Sequence, residues 1–486
     1  ARGGWRGALL PAANPRPRSC RHALLAPQGS TREELLGPYT AWLLANGARM
    51  DGVEVAWISD SMGAGLIATR DLPADAVVCQ VPRALLFSAM SGRDDADLGQ
   101  ILELVEDELD EDDGQCEGLA VLQLLFAAAS VQRGESSHFA PYIQMLPTHV
   151  NTPVIWPRKV RDALLAGTTF LGDVREIRVS MCLEYRRVRS KLRQSGHAEW
   201  LELLGLTSGL CPLSGQDIPA VERWLLARSL VRSRAYKIPE DFDDFAEVQS
   251  EEMVMAPLLD LANHDDELDT GFCWGDGLDA PEDSVIICTE HEVRAGSPVH
   301  ISYGSHSRCA SIISFGFSTE MQRSTFVLRQ FVDPEDSYWA EKMAVLQAAG
   351  VLRRDGCAFF ELPPDPPEVC DDVLHVFRLL ALPPAYASRL LDGVGEMTEE
   401  QLDGVWEALE GPMEDMNIER AAYAKLLRTC RQKLFRLRAT RVASEVEVTP
   451  DTANVAAVVR EAELQGLGLF LALLASEAKE LPRQAK

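Results

Sequence analysis

The sequence predicts an α+β protein, in which a β-rich fold is split by a helical insert and followed by an all-helical C-terminal domain. β-Branched residues and alternating polar and apolar positions occupy residues 52–88 and return at 250–318, which is typical of strands. Residues 118–235 carry apolar side chains at three- and four-residue spacing, and the same helical pattern fills residues 335–486. This order of patterns indicates one β fold interrupted by an insert.

Each segment has its own pattern along the chain. Residues 33–49 predict a short amphipathic helix, and the strands that follow read VEVAWI, GLIATRDL, AVVCQVP and ALLFS. Residues 91–117 are strongly acidic, which indicates a solvated helix face and loop, with a docking surface for a basic protein as the alternative. We divide the chain into an N-terminal tail, a first β half, a helical insert, a second β half and a helical C-terminal domain: residues 1–32, 33–117, 118–249, 250–320 and 330–486.

The composition is that of a globular protein with roughly two to four domains. The chain has 486 residues, of which 46% are hydrophobic and 25% are charged. Its 47 Lys and Arg residues against 74 Asp and Glu residues give a formal net charge of −27. This charge disfavours DNA or RNA as the main partner. It favours the approach of a basic substrate segment by electrostatic steering.

The eleven cysteines are scattered, and no two have C-x-x-C spacing. We therefore expect no zinc cluster and no other bound metal. The scatter favours reduced thiols in an intracellular compartment. No apolar run approaches ~20 residues, so we expect no membrane-spanning helix.

Residues 1–32 differ from the rest of the chain. They contain six Arg residues and no Asp or Glu, and the first acidic residue is Glu33. An Arg-rich, Ala-rich and acid-free composition is typical of an organelle transit peptide. A disordered N-terminal tail and an artefact of the gene prediction are the alternatives.

A glycine-containing loop, Met62-Gly63-Ala64-Gly65-Leu66, precedes a predicted strand. Glycine lets the backbone approach a ligand closely and adopt positive φ angles. Taken alone, G-x-G is common in turns, and this loop lacks the third glycine and the following helix of a dinucleotide-binding fingerprint. The loop is therefore a candidate ligand contact only in combination with other segments.

Further segments carry polar or aromatic groups suited to a buried site. An Arg such as Arg234 can pair bidentately with a carboxylate and does not deprotonate. A buried Tyr such as Tyr303 needs a hydrogen-bond partner for its hydroxyl. The segments are Ser233-Arg234-Ala235-Tyr236, Asp260-Leu261-Ala262-Asn263-His264, Phe272-Cys273-Trp274, Tyr303-Gly304 and Phe315-Gly316-Phe317.

In this order the segments resemble the SET domain, the protein methyltransferase fold that uses S-adenosylmethionine. They are most similar to the branch of the plant Rubisco large-subunit lysine methyltransferases. GAGLIATRDLPADAVVCQVPRALL resembles the opening of SET domains, SRAY resembles S-R-x-F, and DLANH resembles D-x-x-N-H. The resemblance implies a SET fold with its pseudoknot at the Asn-His segment, and C-terminal helices that dock the substrate protein.

The resemblance also implies a cofactor and a set of site residues. The implied active-site residue is Tyr303, in an SN2 methyl transfer that needs an aligned donor and a deprotonated lysine. The implied ligands of S-adenosylmethionine are Met62, Gly63, Ala64, Arg234, Asn263, His264 and Phe317. The implied substrate side contains Ser233, Asp260, Phe315 and an aromatic after the Asn-His loop, Trp274 or Phe272.

Three departures from the family pattern bear on activity. Phe315 stands where the family often has Tyr, and residues 307–311 lack the Asn and Glu of S-N-x-E-L. Asp265 follows the Asn-His pair where a small polar residue is usual. Phe315 leaves the number of transferred methyl groups and the acceptor residue open, and the altered stretch 307–311 leaves full activity open.

Three functions therefore remain open. The leading one is a protein-lysine methyltransferase that acts on a plastid protein such as the Rubisco large subunit. The second is a protein-histidine methyltransferase, because relatives in this branch methylate actin histidine, and the third is a SET-fold binding module with little activity. We expect a monomer in the chloroplast, or alternatively in the cytoplasm or nucleus, with no nucleic-acid or membrane partner.

Overall fold

The computed structural model describes residues 32–59, 62–109, 114–239, 251–274, 284–322, 326–353, 356–362, 371–440 and 447–481. The predicted transit peptide lies outside these residues, apart from Arg32.

The first β half begins with a helix whose apolar residues are four positions apart. Leu35, Tyr39 and Leu43 are buried, so one face of this helix covers the sheets. The elements of this half are α1 (Arg32–Ala45), β1 (Arg49–Met50), β2 (Val53–Ser59), β3 (Gly63–Ala68), β4 (Val77–Pro82) and β5 (Phe87–Ser88).

Eight consecutive α-helices follow β5 among the described residues. Asp95 caps the second of them by accepting hydrogen bonds from the backbone N–H groups of Asp97 and Leu98, both at 3.0 Å. The helices are α2 (Ala89–Gly92), α3 (Ala96–Val105), α4 (Gly114–Arg133), α5 (Ala140–Met145), α6 (Arg158–Leu164), α7 (Phe170–Gln194), α8 (Trp200–Leu203) and α9 (Ala220–Arg234).

Within the predicted insert, residues 118–249, the last described helix is α9, which ends at Arg234. After α9 the chain passes directly into a strand, β6 (Ala235–Pro239), which pairs antiparallel with β7 (Glu251–Met255). The pairing sets Ala235 opposite Met255, and β5 lies on the other side of β7. Pairing with β7 of the second β half therefore makes this segment a strand, and no local periodicity in its sequence predicts one.

The second β half completes sheets that the first half begins. Its elements are β8 (Asn263–His264), β9 (Cys273–Trp274), β10 (Ser284–Cys288), β11 (Pro298–Ile301), α10 (Arg308–Phe315) and β12 (Phe326–Gln330). The sheet orders are β1-β4-β10-β9, β2-β3-β11-β8 and β5-β7-β6. Each of these sheets takes strands from both sides of the insert, which confirms the predicted split β fold.

The C-terminal region is helical with one exception. Its elements are α11 (Trp339–Ala348), β13 (Ala358–Leu362), α12 (Asp371–Ala381), α13 (Pro384–Leu390), α14 (Glu399–Glu407), α15 (Met416–Ala439) and α16 (Pro450–Glu480). The expectation of an all-helical domain is wrong at β13, which forms an antiparallel pair with β12. Its aromatic residues suit a strand once a partner strand is available.

Three clusters of buried apolar side chains lie in the described part of the chain. One fills the β halves and much of the insert, and a second fills the C-terminal region. The third joins them: Val174 of α7, Ile312 of α10 and Val459 of α16 belong to it. The helix that leads to Phe315 therefore packs against both the insert and the C-terminal region.

Two searches of the described residues found nothing. No helix there is long and apolar enough to cross a bilayer. No group of three or more His, Cys, Asp or Glu side chains there is arranged to hold a metal ion.

Candidate functional site

Three adjacent strands bring the distant motifs together. β8 lies parallel to β11, with Asn263 opposite His300 and His264 opposite Ile301. β3 lies on the other side of β11. A Cβ atom on Gly65 would lie 3.0 Å from Nδ2 of Asn263 and 2.7 Å from Cγ1 of Ile58. The glycine loop and the Asn-His segment therefore meet, and only glycine fits between Ile58 and the Asn263 amide.

Tyr303, which follows β11, is held by hydrogen bonds at both ends. Its hydroxyl donates to the carbonyl of Ala262 at 2.9 Å, and its backbone N–H donates to Nδ1 of His264 at 3.1 Å. Burial raises the pKa of Tyr303 to about 12. The phenol is therefore protonated at neutral pH, and its only hydroxyl proton points at a carbonyl.

His264 is fixed in one tautomer by its two neighbours. Nδ1 accepts the Tyr303 N–H, so the neutral ring carries its proton on Nε2. Nε2 lies 2.8 Å from Oδ1 of Asp266 and donates to it. The other carboxylate oxygen of Asp266 accepts the hydroxyl of Thr319. Asp266 therefore connects the Asn-His segment to the chain that follows Phe317.

A buried ion pair lies beside these residues. Nη1 of Arg234 donates to the carbonyl oxygen and to Oδ2 of Asp260, at 2.9 and 3.2 Å. The hydroxyl of Tyr142 donates to the same Oδ2 at 2.6 Å. Burial raises the pKa of Asp260, and Arg234 and Tyr142 oppose that rise. Burial acts to lower the pKa of Arg234, but Asp260 beside it holds that pKa above its ordinary value.

Both polar residues that were predicted on the substrate side have internal partners. The Asp260 side chain is 0% exposed. The hydroxyl of Ser233 donates to the carbonyl of Leu230, 3.0 Å away in the same helix. Contact of these two residues with a substrate stays a prediction.

Three buried polar atoms of this cluster have no hydrogen-bond partner among the described residues. They are Nε of Arg234, Oδ1 of Asp260 and Nδ2 of Asn263. Each such atom costs about 1–3 kcal/mol unless something else satisfies it. Two are donors and one is an acceptor, so they match a ligand that offers both a carboxylate and an ammonium group.

Aromatic rings form a wall around Tyr303. The ring centroids of Phe315 and Phe317 lie 4.9 and 6.5 Å from that of Tyr303. Gly316 between them has φ 81°, and a Cβ there would lie 2.9 Å from backbone carbon of Asn151. The turn between the two phenylalanines is therefore pressed against the insert. Phe317 is 38% exposed, at the edge of this wall.

Met62 and Trp274, both predicted site residues, lie next to segments outside the described residues. Met62 is exposed and precedes β3. Trp274 lies in β9 opposite Val285, and its side chain lies outside the described part. Phe272, the alternative aromatic, packs on Tyr236 with a centroid distance of 3.9 Å.

Sequence reasoning missed several residues of this cluster. Tyr236 was the last residue of the SRAY segment, and Asp266 lies two residues after His264, so both were within reach of the motifs. His306 packs on Phe315 at 5.5 Å and lies 2.9 Å from the carbonyl oxygen of Tyr303. Tyr142 comes from the insert, and no local signal links it to Asp260.

Comparison with known proteins places this geometry in a fold. No family model matches the chain. It is 27% identical to an actin-histidine N-methyltransferase of Canis lupus familiaris over 322 residues, 66% of this chain and 49% of that protein. The actin-histidine N-methyltransferase of Homo sapiens is 26% identical over 66% of this chain and 48% of that protein. The chain thus spans about half the length of the curated relatives it matches.

Solved structures match over nearly the whole chain. The SET domain of LSMT bound to lysine and AdoHcy has a TM-score of 0.69 at 18% identity, over 92% of each chain. Rubisco LSMT bound to AdoMet has a TM-score of 0.68 at 18% identity, over 92% of this chain and 93% of the other. The chain therefore has the fold of these SET-domain structures, and the predicted α+β SET fold is confirmed.

Proposed function

We propose that this chain is an S-adenosylmethionine-dependent protein methyltransferase that methylates a lysine side chain. The observation that carries the proposal is the set of three unpartnered polar atoms on Arg234, Asp260 and Asn263. The amino-acid end of S-adenosylmethionine has a carboxylate for the two donors and an ammonium for the acceptor. The SET fold of the chain and the cofactor named with its structural neighbours support the same ligand.

The residues that would hold the cofactor are Met62, Gly63, Ala64, Arg234, Asn263, His264 and Phe317. Gly65 leaves the space beside the Asn263 amide that a larger residue would fill. Arg234 is charged at every relevant pH, and its Nε, which has no partner among the described residues, can donate a hydrogen bond to a carboxylate. When bound, S-adenosylmethionine supplies an electrophilic methyl group on a sulfonium.

Tyr303 would position the reacting groups rather than take a proton. Its pKa of about 12 keeps the hydroxyl protonated, so it is not the base that neutralises lysine. Neutralising a lysine with a pKa of about 10.4 at pH 7 costs roughly 4–5 kcal/mol. The apolar rings of Phe315 and Phe317 disfavour an ammonium by desolvation and thereby offset part of that cost.

Histidine is a second candidate acceptor. The relatives that match at 26–27% identity are named actin-histidine N-methyltransferases. Imidazole is largely neutral at pH 7, so it needs no costly deprotonation. Phe315, which has no hydroxyl, leaves a less polar wall than the Tyr of the family pattern.

For the substrate protein, we propose docking on the C-terminal helices, through the exposed face of α15. Phe435 on this face is 73% exposed. Arg428, Arg431 and Arg438 lie seven and four residues before it and three after it, on the same helical face. None of the three makes an ion pair with a described residue. An apolar side chain ringed by cations fits an acidic protein surface with an apolar pocket.

We also propose a plastid location for the protein, on the composition of residues 1–32 alone. Import of a fluorescent fusion of these residues into isolated chloroplasts tests it. A fusion that stays outside contradicts the location and leaves the chemistry untouched.

The experiment that tests the function has two steps. Isothermal titration of the full chain with S-adenosylmethionine should give micromolar binding. Incubation with the labelled cofactor and plastid extract, then digestion and mass spectrometry, should place the label on lysine. Label on histidine selects the second candidate. No cofactor binding by the wild-type chain refutes the enzyme and leaves a SET-fold binding module.

A further inference from the structure

Residues 317–322, which we name the Phe317 loop, accept hydrogen bonds from one arginine near their C-terminal end. Nε of Arg308 donates to the carbonyl of Gln322 at 3.0 Å, and Nη2 donates to the carbonyl of Glu320 at 2.6 Å. The planar guanidinium thus holds two backbone carbonyls in a fixed geometry, which an ammonium cannot reproduce. Arg308 stands at the second position of the stretch where the SET pattern has Asn.

A second contact holds the middle of the Phe317 loop. The Thr319 hydroxyl donates to Asp266, which also accepts the proton on Nε2 of His264. The backbone N–H of Thr319 donates to Oε1 of Gln322 at 3.3 Å, so the loop is also braced internally. The loop is thereby fastened to the start of α10 by Arg308 and to the Asn-His segment by Asp266.

These two attachments help to hold Phe317 in place, because the loop has little apolar packing of its own. Phe317 is 38% exposed and Met321 is 65% exposed, and the buried residue of the loop, Gln322, is polar. A loop that encloses so little apolar surface stays ordered only if polar contacts offset its conformational entropy. A ligand that uses such a loop binds more tightly when the loop is already ordered.

We propose that Arg308 is a positioning residue, which together with Asp266 and Thr319 pre-organises Phe317 over the bound cofactor. The inference rests on the proposed function, because it gives Phe317 a cofactor to cover. Arg308 itself acts through the loop and touches no reacting atom. We name the two hydrogen bonds from Arg308 to the carbonyls of Glu320 and Gln322 the clamp.

The test is a thermodynamic cycle between Arg308 and Phe317. We expect Arg308→Ala to weaken S-adenosylmethionine binding about tenfold, a loss of pre-organisation, and Phe317→Ala to weaken it at least as much. In the Phe317→Ala background, Arg308→Ala should add less than about twofold, because its effect passes through that ring. Arg308→Lys should behave nearly as Arg308→Ala, since one ammonium does not span both carbonyls.

Arg70→Ala is the matched control, because Arg70 is an arginine whose exposed ion pair, with Asp51, lies outside the Phe317 loop. It should leave the dissociation constant unchanged. Equal losses from Arg308→Ala with and without Phe317 would overturn the proposal, since a general structural defect gives that result.

Hydrogen exchange separates the clamp from the function. In the protein without added cofactor, Arg308→Ala should speed amide exchange in the Phe317 loop, whereas Arg70→Ala should not. Faster exchange in a chain that does not bind S-adenosylmethionine would support the clamp and refute the proposed function. Unchanged exchange would refute the clamp whatever the chain binds.

Discussion

Replacement of Asn263 by alanine tests the candidate site most directly. Its Nδ2 is buried and has no partner among the described residues, so the amide contributes little to the folded state as it stands. If that donor meets a carboxylate of the cofactor, its loss costs about 1.5–3 kcal/mol of binding free energy. This range corresponds to a dissociation constant raised about 10- to 150-fold.

The same substitution should not lower stability. Because alanine removes a buried donor that has no internal partner, we expect the free energy of unfolding to be equal to or above the wild-type value. Asn46→Ala is the matched control: Nδ2 of Asn46 donates to the carbonyl of Trp42 at 2.8 Å, in a different part of the chain. That variant should lose some stability and keep its affinity for the cofactor.

The assay is isothermal titration with S-adenosylmethionine, alongside urea unfolding of all three proteins. Weakened binding with preserved stability in Asn263→Ala supports the proposed site. If Asn263→Ala binds as well as wild type, the amide faces no ligand and the reasoning from unpartnered atoms is refuted. If it unfolds more easily than Asn46→Ala, the amide has a structural partner and the same conclusion follows.

Three further predictions concern catalysis, stability and docking. Tyr303→Phe should lower kcat at least about tenfold through lost positioning, while the dissociation constant of the cofactor stays unchanged. Because the pKa of Tyr303 is about 12, the activity of the wild-type protein should show no loss from ionisation of this group below pH ~10. Asp260→Ala should destabilise the fold by about 3–5 kcal/mol in urea titrations, because Arg234 is left buried without its carboxylate; a loss below about 1 kcal/mol would contradict the ion pair. Phe435→Ser should raise KM for a protein substrate but not for a short peptide, whereas Leu183→Ser, which alters an exposed residue of α7, should change neither.

The residues that the sequence identified correctly as neighbours lie in short contiguous motifs. Asn263 and His264 read as one pair, and Tyr303 ends a strand whose apolar pattern is visible. Their meeting required only that β8 and β11 pair, which the resemblance to the SET fold implied. For such residues the local sequence pattern predicts both the strand and the face of the strand on which the side chain lies.

The missed residues depend on contacts between distant parts of the chain. Tyr142 bonds to Asp260 across 118 positions, and the pairing arises from how the insert folds back on the β halves. β6 and β13 are strands because β7 and β12 offer edges to them. Short segments of mixed propensity take the structure of their partners, so local reading fails there.

Two buried arginine–carboxylate pairs show that unpartnered polar atoms indicate a binding site better than burial does. Nε and Nη2 of Arg378 donate to the two oxygens of Glu419 at 2.8 and 2.9 Å, and its Nη1 donates to the carbonyl of Leu409. Every charged group of that pair has an internal partner, as expected of a structural ion pair. The Asp260 side chain is 0% exposed and that of Arg234 is 22% exposed, yet each keeps one buried atom without a partner among the described residues. Folding alone gives no reason to leave those atoms unsatisfied, whereas a charged ligand does.

A nearby residue points the same way: the backbone of Leu258 has φ 80°, an unfavourable angle for a residue with a side chain, and its N–H donates to the hydroxyl of Tyr39 at 2.8 Å. The unfavourable φ of Leu258 and the unpartnered atoms of Asp260 and Asn263 thus lie within six residues of the chain, and their combined cost is understandable if that stretch is shaped for binding rather than for stability.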